Sequence, residues 1–141
     1  MVYVDTSVLV ALLTNEASAG RIAQWYGKET RTLVSGDWCV TEFASALALK
    51  ERTGQLTRKQ SNAAWTLFNE FCGGSLRLMP LDRELFAQSA HLVRESKNGL
   101  RAGDALHLAL ALHIQAEAFF TLDTRLGSDA RHCKLVLISL S

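Results

Sequence analysis

Five short apolar runs punctuate the chain: Val2–Val4, Thr32–Ser35, Leu76–Met79, Ala118–Thr121 and Leu135–Ile138. Longer helical patterns separate them. Runs this short read as strands, and a helix-length connection between consecutive strands does not close a tight hairpin. It carries the chain over the sheet in a right-handed crossover and returns it parallel to where it began. The expected fold is therefore a three-layer α/β/α domain with a central parallel five-stranded sheet covered on both faces. In such open sheets ligands sit beyond the carboxyl ends of the strands, at the switch point of strand order. That is where the chemistry of this chain should lie.

The connecting helices signal their own ends. Asp5-Thr6-Ser7 are N-cap types, and a helix is expected from them to about Leu13. A second covers Ala17–Tyr26 and stops at Gly27. Trp38–Arg52 reads as a long helix ended by Gly54, Thr57–Cys72 as one ended by Gly73-Gly74, and Asp82–Ser96 as one ended near Gly99. Ala102–Gln115 is apolar almost all round, the mark of a buried central helix. Asp123–Leu126 reads as a single helical turn. With 141 residues, one proline (Pro80) and nine glycines, residues 1–141 are expected to form one domain with little linker.

Charge and cysteine usage remove several classes. Fifteen Lys and Arg against 14 Asp and Glu leave a formal net charge of +1, too balanced for a generally cationic nucleic-acid coat. A nuclease that grips its substrate locally stays open. Cys39, Cys72 and Cys133 are odd in number and show no CxxC or CxxH pattern, so neither a disulfide framework nor a zinc site is expected. No basic n-region or cleavage site accompanies Val2-Tyr3-Val4-Asp5, and the apolar runs Val8–Leu13 and Ala105–Leu112 are too short to span a bilayer. A cytoplasmic protein without a membrane partner is expected. The absence of GxxxxGK[ST], GxGxxG and HExxH removes nucleotide-binding loops and a zinc hydrolase.

Four acids map to strand exits or to the helix starts beyond them. Asp5 ends the first strand, Asp123 follows the fourth, Asp104 lies in the first turn of the buried helix, and Glu42 in the first turn of Trp38–Arg52. Gathered at one sheet edge, they would repel one another and raise each other's pKa values unless a divalent cation neutralised them. All-oxygen ligands without His or Cys suit Mg²⁺, with Mn²⁺ as a substitute. Each acid also has a structural reading: Asp5 and Asp123 as N-caps, Glu42 and Asp104 as acids complementing a helix dipole. Against this, Glu42 shares its stripe with Trp38, Ala46 and Leu49, and Asp104 with Ala105, Leu108 and Ala111. A carboxylate on such apolar surface is costly without a charged partner.

VDTSVLVALL at the N-terminus, TEFASAL around Glu42, LRAGDALHLALA around Asp104 and FFTLD ending in Asp123 resemble the PIN-domain nucleases. Within that family they look most like VapC-type toxins of toxin–antitoxin modules, and the likeness runs in order from Val2 to about Ile138. The resemblance implies a metal-dependent endoribonuclease that hydrolyses RNA phosphodiester bonds. Asp5, Glu42, Asp104 and Asp123 would hold one or two Mg²⁺ or Mn²⁺ ions, and Thr121 would be a hydroxyl helper orienting water or a ligand carboxylate. Thr121 is equally a residue of high β-propensity at a strand end. The resemblance further implies a homodimer held by a cognate antitoxin.

Other features are less specific. His107 lies one turn after Asp104, either packed and hydrogen-bonded in the core or supporting the site. Lys97 and Arg101 precede Asp104 and are placed to steer phosphates, whereas Arg58 and Lys59 read as solvated charge. The Thr57–Cys72 helix carries Ala64, Trp65, Leu67, Phe68 and Phe71, either as core or as a face for a partner helix. A phosphoryl-transfer protein with Asp5 as nucleophile is disfavoured, because no second aspartate stands two places on. The remaining alternatives are a catalytically silent α/β interaction module and a PIN-type nuclease of RNA processing without an antitoxin.

Overall fold

A computed structural model describes residues 1–140. The chain runs β1 (Val2–Val4), α1 (Thr6–Leu13), α2 (Ala19–Lys28), β2 (Leu33–Gly36), α3 (Trp38–Arg52), α4 (Arg58–Gly73), β3 (Leu76–Met79), α5 (Arg83–Glu95), α6 (Ala102–His113), β4 (Ala118–Phe120) and α7 (Thr124–His132). The strands form one parallel sheet in the order β3-β2-β1-β4. The order reverses at β1, so the ends of β1 and β4 open the crevice where such sheets bind ligands.

Alternation along the strands divides the core in two. Val2 and Val4 of β1, with Leu33, Leu76, Ala118 and Phe120, face a cluster built from Leu9, Ile22, Phe43 and Phe68 of α1 to α4. Tyr3 and Phe119 point the other way, into a cluster with Leu85, Leu108 and Leu126 of α5 to α7. Helices therefore cover both faces, as expected. Phe43 and Phe68 stack at 4.3 Å, and burying each such ring contributes on the order of 1.5–3 kcal/mol. The aromatic stripe of α4 thus goes largely into the core; Leu67 alone of it stays about half exposed.

Most helix starts are capped as their sequences indicate. Thr57 and Gln60 form a capping box, and Asp82 accepts the Leu85 N–H at 3.0 Å. Several boundaries differ by one or two residues: β2, α4 and α5 each shift by a residue at both ends, α2 starts at Ala19 and continues through Gly27 to Lys28, α6 ends at His113 with Gln115 in the left-handed region (φ 52°), and β4 ends at Phe120.

Two expectations fail. The expected fifth strand, Leu135–Ile138, reduces to a single bridge between Phe119 and Leu137, so the sheet has four strands rather than five. The reason lies in β4. Successive residues of a strand turn their backbone groups to opposite edges, and a three-residue strand paired to β1 through Ala118 and Phe120 offers only Phe119 outward. Phe119 N–H donates to Val136 O at 2.7 Å and its carbonyl accepts from Ile138 N–H at 3.0 Å, which exhausts the edge. The expected turn Asp123–Leu126 is instead the nine-residue α7. Gly127, Ser128 and Asp129 look like breakers, but Gly127 and Asp129 are buried with Leu126 and Ala130 on its inner face. Ser96 and Asn98 satisfy the Asp129 carboxylate there. No helix of the described residues is long and apolar enough to cross a membrane.

Candidate functional site

Beyond the ends of β1 and β4 lies a cleft of about 450 Å³ whose walls include Asp5, Glu42, Asp104 and Asp123. Four different segments bring them together. Asp5 leaves β1 as the N-cap of α1, Asp123 leaves β4 as the N-cap of α7, and Asp104 sits in the first turn of α6. Glu42 is the fifth residue of α3, so it opens the second turn rather than lying in the first, and the helix-dipole reading of its charge does not apply.

Asp5 is the most enclosed of the four, 3% exposed. Its Oδ1 accepts the Ser7 hydroxyl at 2.6 Å and the Val8 N–H at 3.4 Å, and its Oδ2 accepts the Thr121 hydroxyl at 2.6 Å. Burial pushes its carboxyl above the ordinary range, against the opposing pull of His107 and these donors. Thr121 does not line the cleft; it stands behind Asp5, and its oxygen also accepts the Asp123 N–H at 3.0 Å. One hydroxyl thereby ties the exits of β1 and β4 together.

Glu42 is held from the core side. Its Oε1 accepts the Thr6 hydroxyl at 2.7 Å and meets His107 Nε2 at 2.5 Å. A carboxylate only accepts, so Nε2 carries a proton. The other ring nitrogen lies 2.7 Å from Tyr3 Oη, and the imidazole is 1% exposed. Burial pushes the Glu42 carboxyl up, but the hydrogen bond and charge of His107, with Thr6, outweigh it and leave the pKa below its usual value. Both sequence readings of His107 therefore hold: it is packed in the core, and it supports an acid of the cleft.

Glycine is required where α6 approaches α3. A Cβ on Gly103 would stand 2.7 Å from Glu42 Oε2 and 2.7 Å from Trp38 Nε1, an indole N–H buried without a hydrogen-bond partner. Nothing in the sequence distinguished Gly103, Tyr3 or Thr6 as site residues, because each reads as an ordinary helix, strand or cap residue.

Asp104 and Asp123 form the more open side. Burial raises the Asp104 carboxyl first, the nearby Asp123 raises it further, Arg101 opposes, and Glu42 adds to the repulsion. Asp123 commits Oδ1 to capping α7 through Arg125 and Leu126 N–H, leaving Oδ2 facing Arg101. Lys97 lies elsewhere, in a depression it shares with Arg131 and His132, while Arg58 is spent on Glu51 at 3.3 Å. The cation-forming side chains that line the cleft among the described residues are thus Arg101 and His107.

The donor set is a hard, all-oxygen one with mutually repelling members, which fits Mg²⁺ or Mn²⁺. As the side chains stand, no three His, Cys, Asp or Glu among the described residues are close enough to hold one ion. Closure on a cation would require the partly buried carboxylates of Glu42, Asp104 and Asp123 to converge with Asp5.

The whole arrangement has relatives. The chain is similar in structure to VapC20 of Mycobacterium tuberculosis, a Sarcin-Ricin loop cleaving toxin, with a TM-score of 0.72 and 18% identity over 91% of this chain and 94% of that one. VapBC2 from Rickettsia felis, bound to a DNA fragment from their promoter, gives 0.69 and 14% with both chains fully covered. FitAcB from Neisseria gonorrhoeae gives 0.67 and 19% over 99% of this chain and 97% of that one. No curated protein matches the sequence. The model of the PIN domain, however, matches residues 2–130, a span that runs from β1 into α7 and takes in Asp5, Glu42, Asp104 and Asp123, and the chain belongs to the PIN domain family.

Proposed function

We propose that this protein is a metal-dependent endoribonuclease that hydrolyses RNA phosphodiester bonds and serves as the toxin of a toxin–antitoxin pair. The observation that carries the reading is the convergence of Asp5, Glu42, Asp104 and Asp123, from four separate elements, on one open cleft. Such a density of acid is costly for a silent interaction surface and is ordinary equipment for phosphodiester hydrolysis. Mg²⁺ or Mn²⁺ held by these carboxylates would supply the Lewis acidity and charge neutralisation that the scissile phosphate needs. The protein's own part is positioning. Ser7 and Thr121 fix both oxygens of Asp5, and His107 and Thr6 fix Oε1 of Glu42 and leave Oε2 free. Thr121 is a positioning residue in this scheme, acting through Asp5. The likeness to VapC20, VapBC2 and FitAcB supports an antitoxin as partner, and a homodimer as the functional unit accords with the same reading.

The test combines metal and RNA. Mn²⁺ at about one hundred times its Kd should stabilise the wild type by about 2.7 kcal/mol, whereas a silent module would not respond. Asp5→Asn and Asp104→Asn should each abolish Mn²⁺-dependent RNA cleavage while keeping the native circular dichroism. Full cleavage by both variants refutes the mechanism. A neighbouring reading frame with no small antitoxin-like product would count against the toxin assignment without touching the nuclease.

A further inference from the structure

Arg101 is the N-cap of α6, and its side chain is 75% exposed at the mouth of the acidic cleft. Its Nε lies 3.6 Å from Asp104 Oδ2 and its Nη2 lies 3.4 Å from Asp123 Oδ2. The guanidinium therefore spans the two carboxylates on the open side of the site. Their closeness is itself unfavourable, since Asp123 raises the Asp104 carboxyl and Arg101 relieves it. Among the described residues lining the cleft it is the one with a permanent positive charge. Glu16, the further acid there, is paired with Lys50 at 2.9 Å outside the group.

The contacts are long, and the guanidinium that makes them is largely exposed. Exposed ion pairs of this kind contribute little, so Arg101 neutralises the carboxylates without locking onto them. Both oxygens it touches are ones the fold leaves uncommitted. Asp123 Oδ2 is the oxygen not used in capping α7, and Asp104 meets Arg101 only as an ion pair and accepts no side-chain hydrogen bond among the described residues. A guanidinium also binds phosphate with the same fork geometry it offers carboxylate.

We propose that Arg101 exchanges partners during the reaction cycle, giving up Asp104 and Asp123 to a divalent cation and turning its guanidinium onto an RNA phosphate beside the scissile bond. The inference rests on the endoribonuclease reading and adds to it. In the metal-free protein Arg101 keeps the acidic cleft from repelling itself; in the loaded protein it supplies the positive rim an anionic substrate needs. The two roles require opposite effects of removing it.

Arg101→Gln keeps the length and polarity of the side chain and lies on the surface, so the fold is not at risk. Titration of the metal-free proteins with Mn²⁺ by calorimetry should show the variant binding about two- to five-fold more tightly, since the cation no longer competes with an exposed ion pair. Cleavage of a single-stranded oligoribonucleotide at saturating Mn²⁺ should fall about ten-fold or more in kcat/KM, with Arg101→Lys restoring part of it. Unchanged or weaker Mn²⁺ binding by Arg101→Gln overturns the exchange, and unchanged kcat/KM overturns the phosphate contact. A wild type that binds no Mn²⁺ or cuts no RNA refutes the parent reading instead, and takes this one with it.

Discussion

Replacing Gly103 with alanine separates two effects that usually travel together. In a helix Ala is favoured over Gly by about 0.8–1.0 kcal/mol. Gly103 does not have the positive φ found at Gly54 and Gly99, so its backbone gives no reason to keep glycine. Space does. The added Cβ would meet Glu42 Oε2 and Trp38 Nε1 at 2.7 Å and Glu42 Cδ at 3.5 Å. The bulky indole resists movement, whereas the carboxylate ends a flexible chain and yields. In yielding it leaves the Thr6 hydroxyl and His107 Nε2, now 2.7 and 2.5 Å away. A buried imidazole donor without an acceptor costs about 1–3 kcal/mol. Set against the helix gain, the net destabilisation is between about zero and 2 kcal/mol, a fall in Tm of up to roughly 8 °C for a chain of this size. The effect on the site should be larger, about 10–100-fold in metal affinity, as for loss of a contact that orients a ligand. Thermal denaturation in chelator and calorimetric Mn²⁺ titration read the two separately. A Gly103→Ala protein that gains the full helix increment and binds Mn²⁺ like the wild type would refute the close fit of α6 against Glu42.

Two further outcomes follow from the buried groups. Asp5 has its folded pKa raised above the ordinary 3.8, so the native state holds its proton more readily than the unfolded chain. Stability from this group is present at low pH and is lost as pH rises from the ordinary carboxylate range through the folded value. In chelator at neutral pH Asp5→Asn should therefore melt above the wild type, with the gap closing near pH 3.8; a variant less stable at every pH contradicts this. Tyr3→Phe removes the hydroxyl at His107 Nδ1 but keeps the ring stacked on Phe119 at 5.4 Å. It should fold, lose about 1–3 kcal/mol in denaturant titration, and bind Mn²⁺ several-fold more weakly; unaltered metal affinity would show that Glu42 needs no support from β1.

Much of this molecule is legible in its sequence because local and global preferences agree. The α3 boundaries, Trp38 to Arg52, and those of β3, Leu76 to Met79, match the sequence reading residue for residue. The four carboxylates stand out for the same reason, as charges at strand exits and on otherwise apolar helical stripes. What is not legible is relational. His107 becomes a support for Glu42 only because α3 and α6 cross the same end of the sheet, and no spacing within one segment encodes that crossing. Gly103 is silent in the sequence because its constraint comes from the side chains of a different helix. The extent of α7 was hidden by Gly127-Ser128-Asp129, whose poor helix preference is overridden by burial and by Ser96 and Asn98 from a distant loop. The fifth strand failed on the neighbour's length, not on its own composition.

The hydrogen bond from Thr121 to Asp5 joins residues 116 positions apart. During synthesis at about 5–20 residues per second, Asp5 therefore exists for roughly 6–23 s before its partner is made. Asp123 comes later still, so a nascent chain carries incomplete fragments of the cleft for most of its time on the ribosome. The sheet order that places the first and last strands side by side therefore acts as a clock. Under the proposed endoribonuclease reading, cleavage could begin only once residue 123 has been made and the exits of β1 and β4 have met.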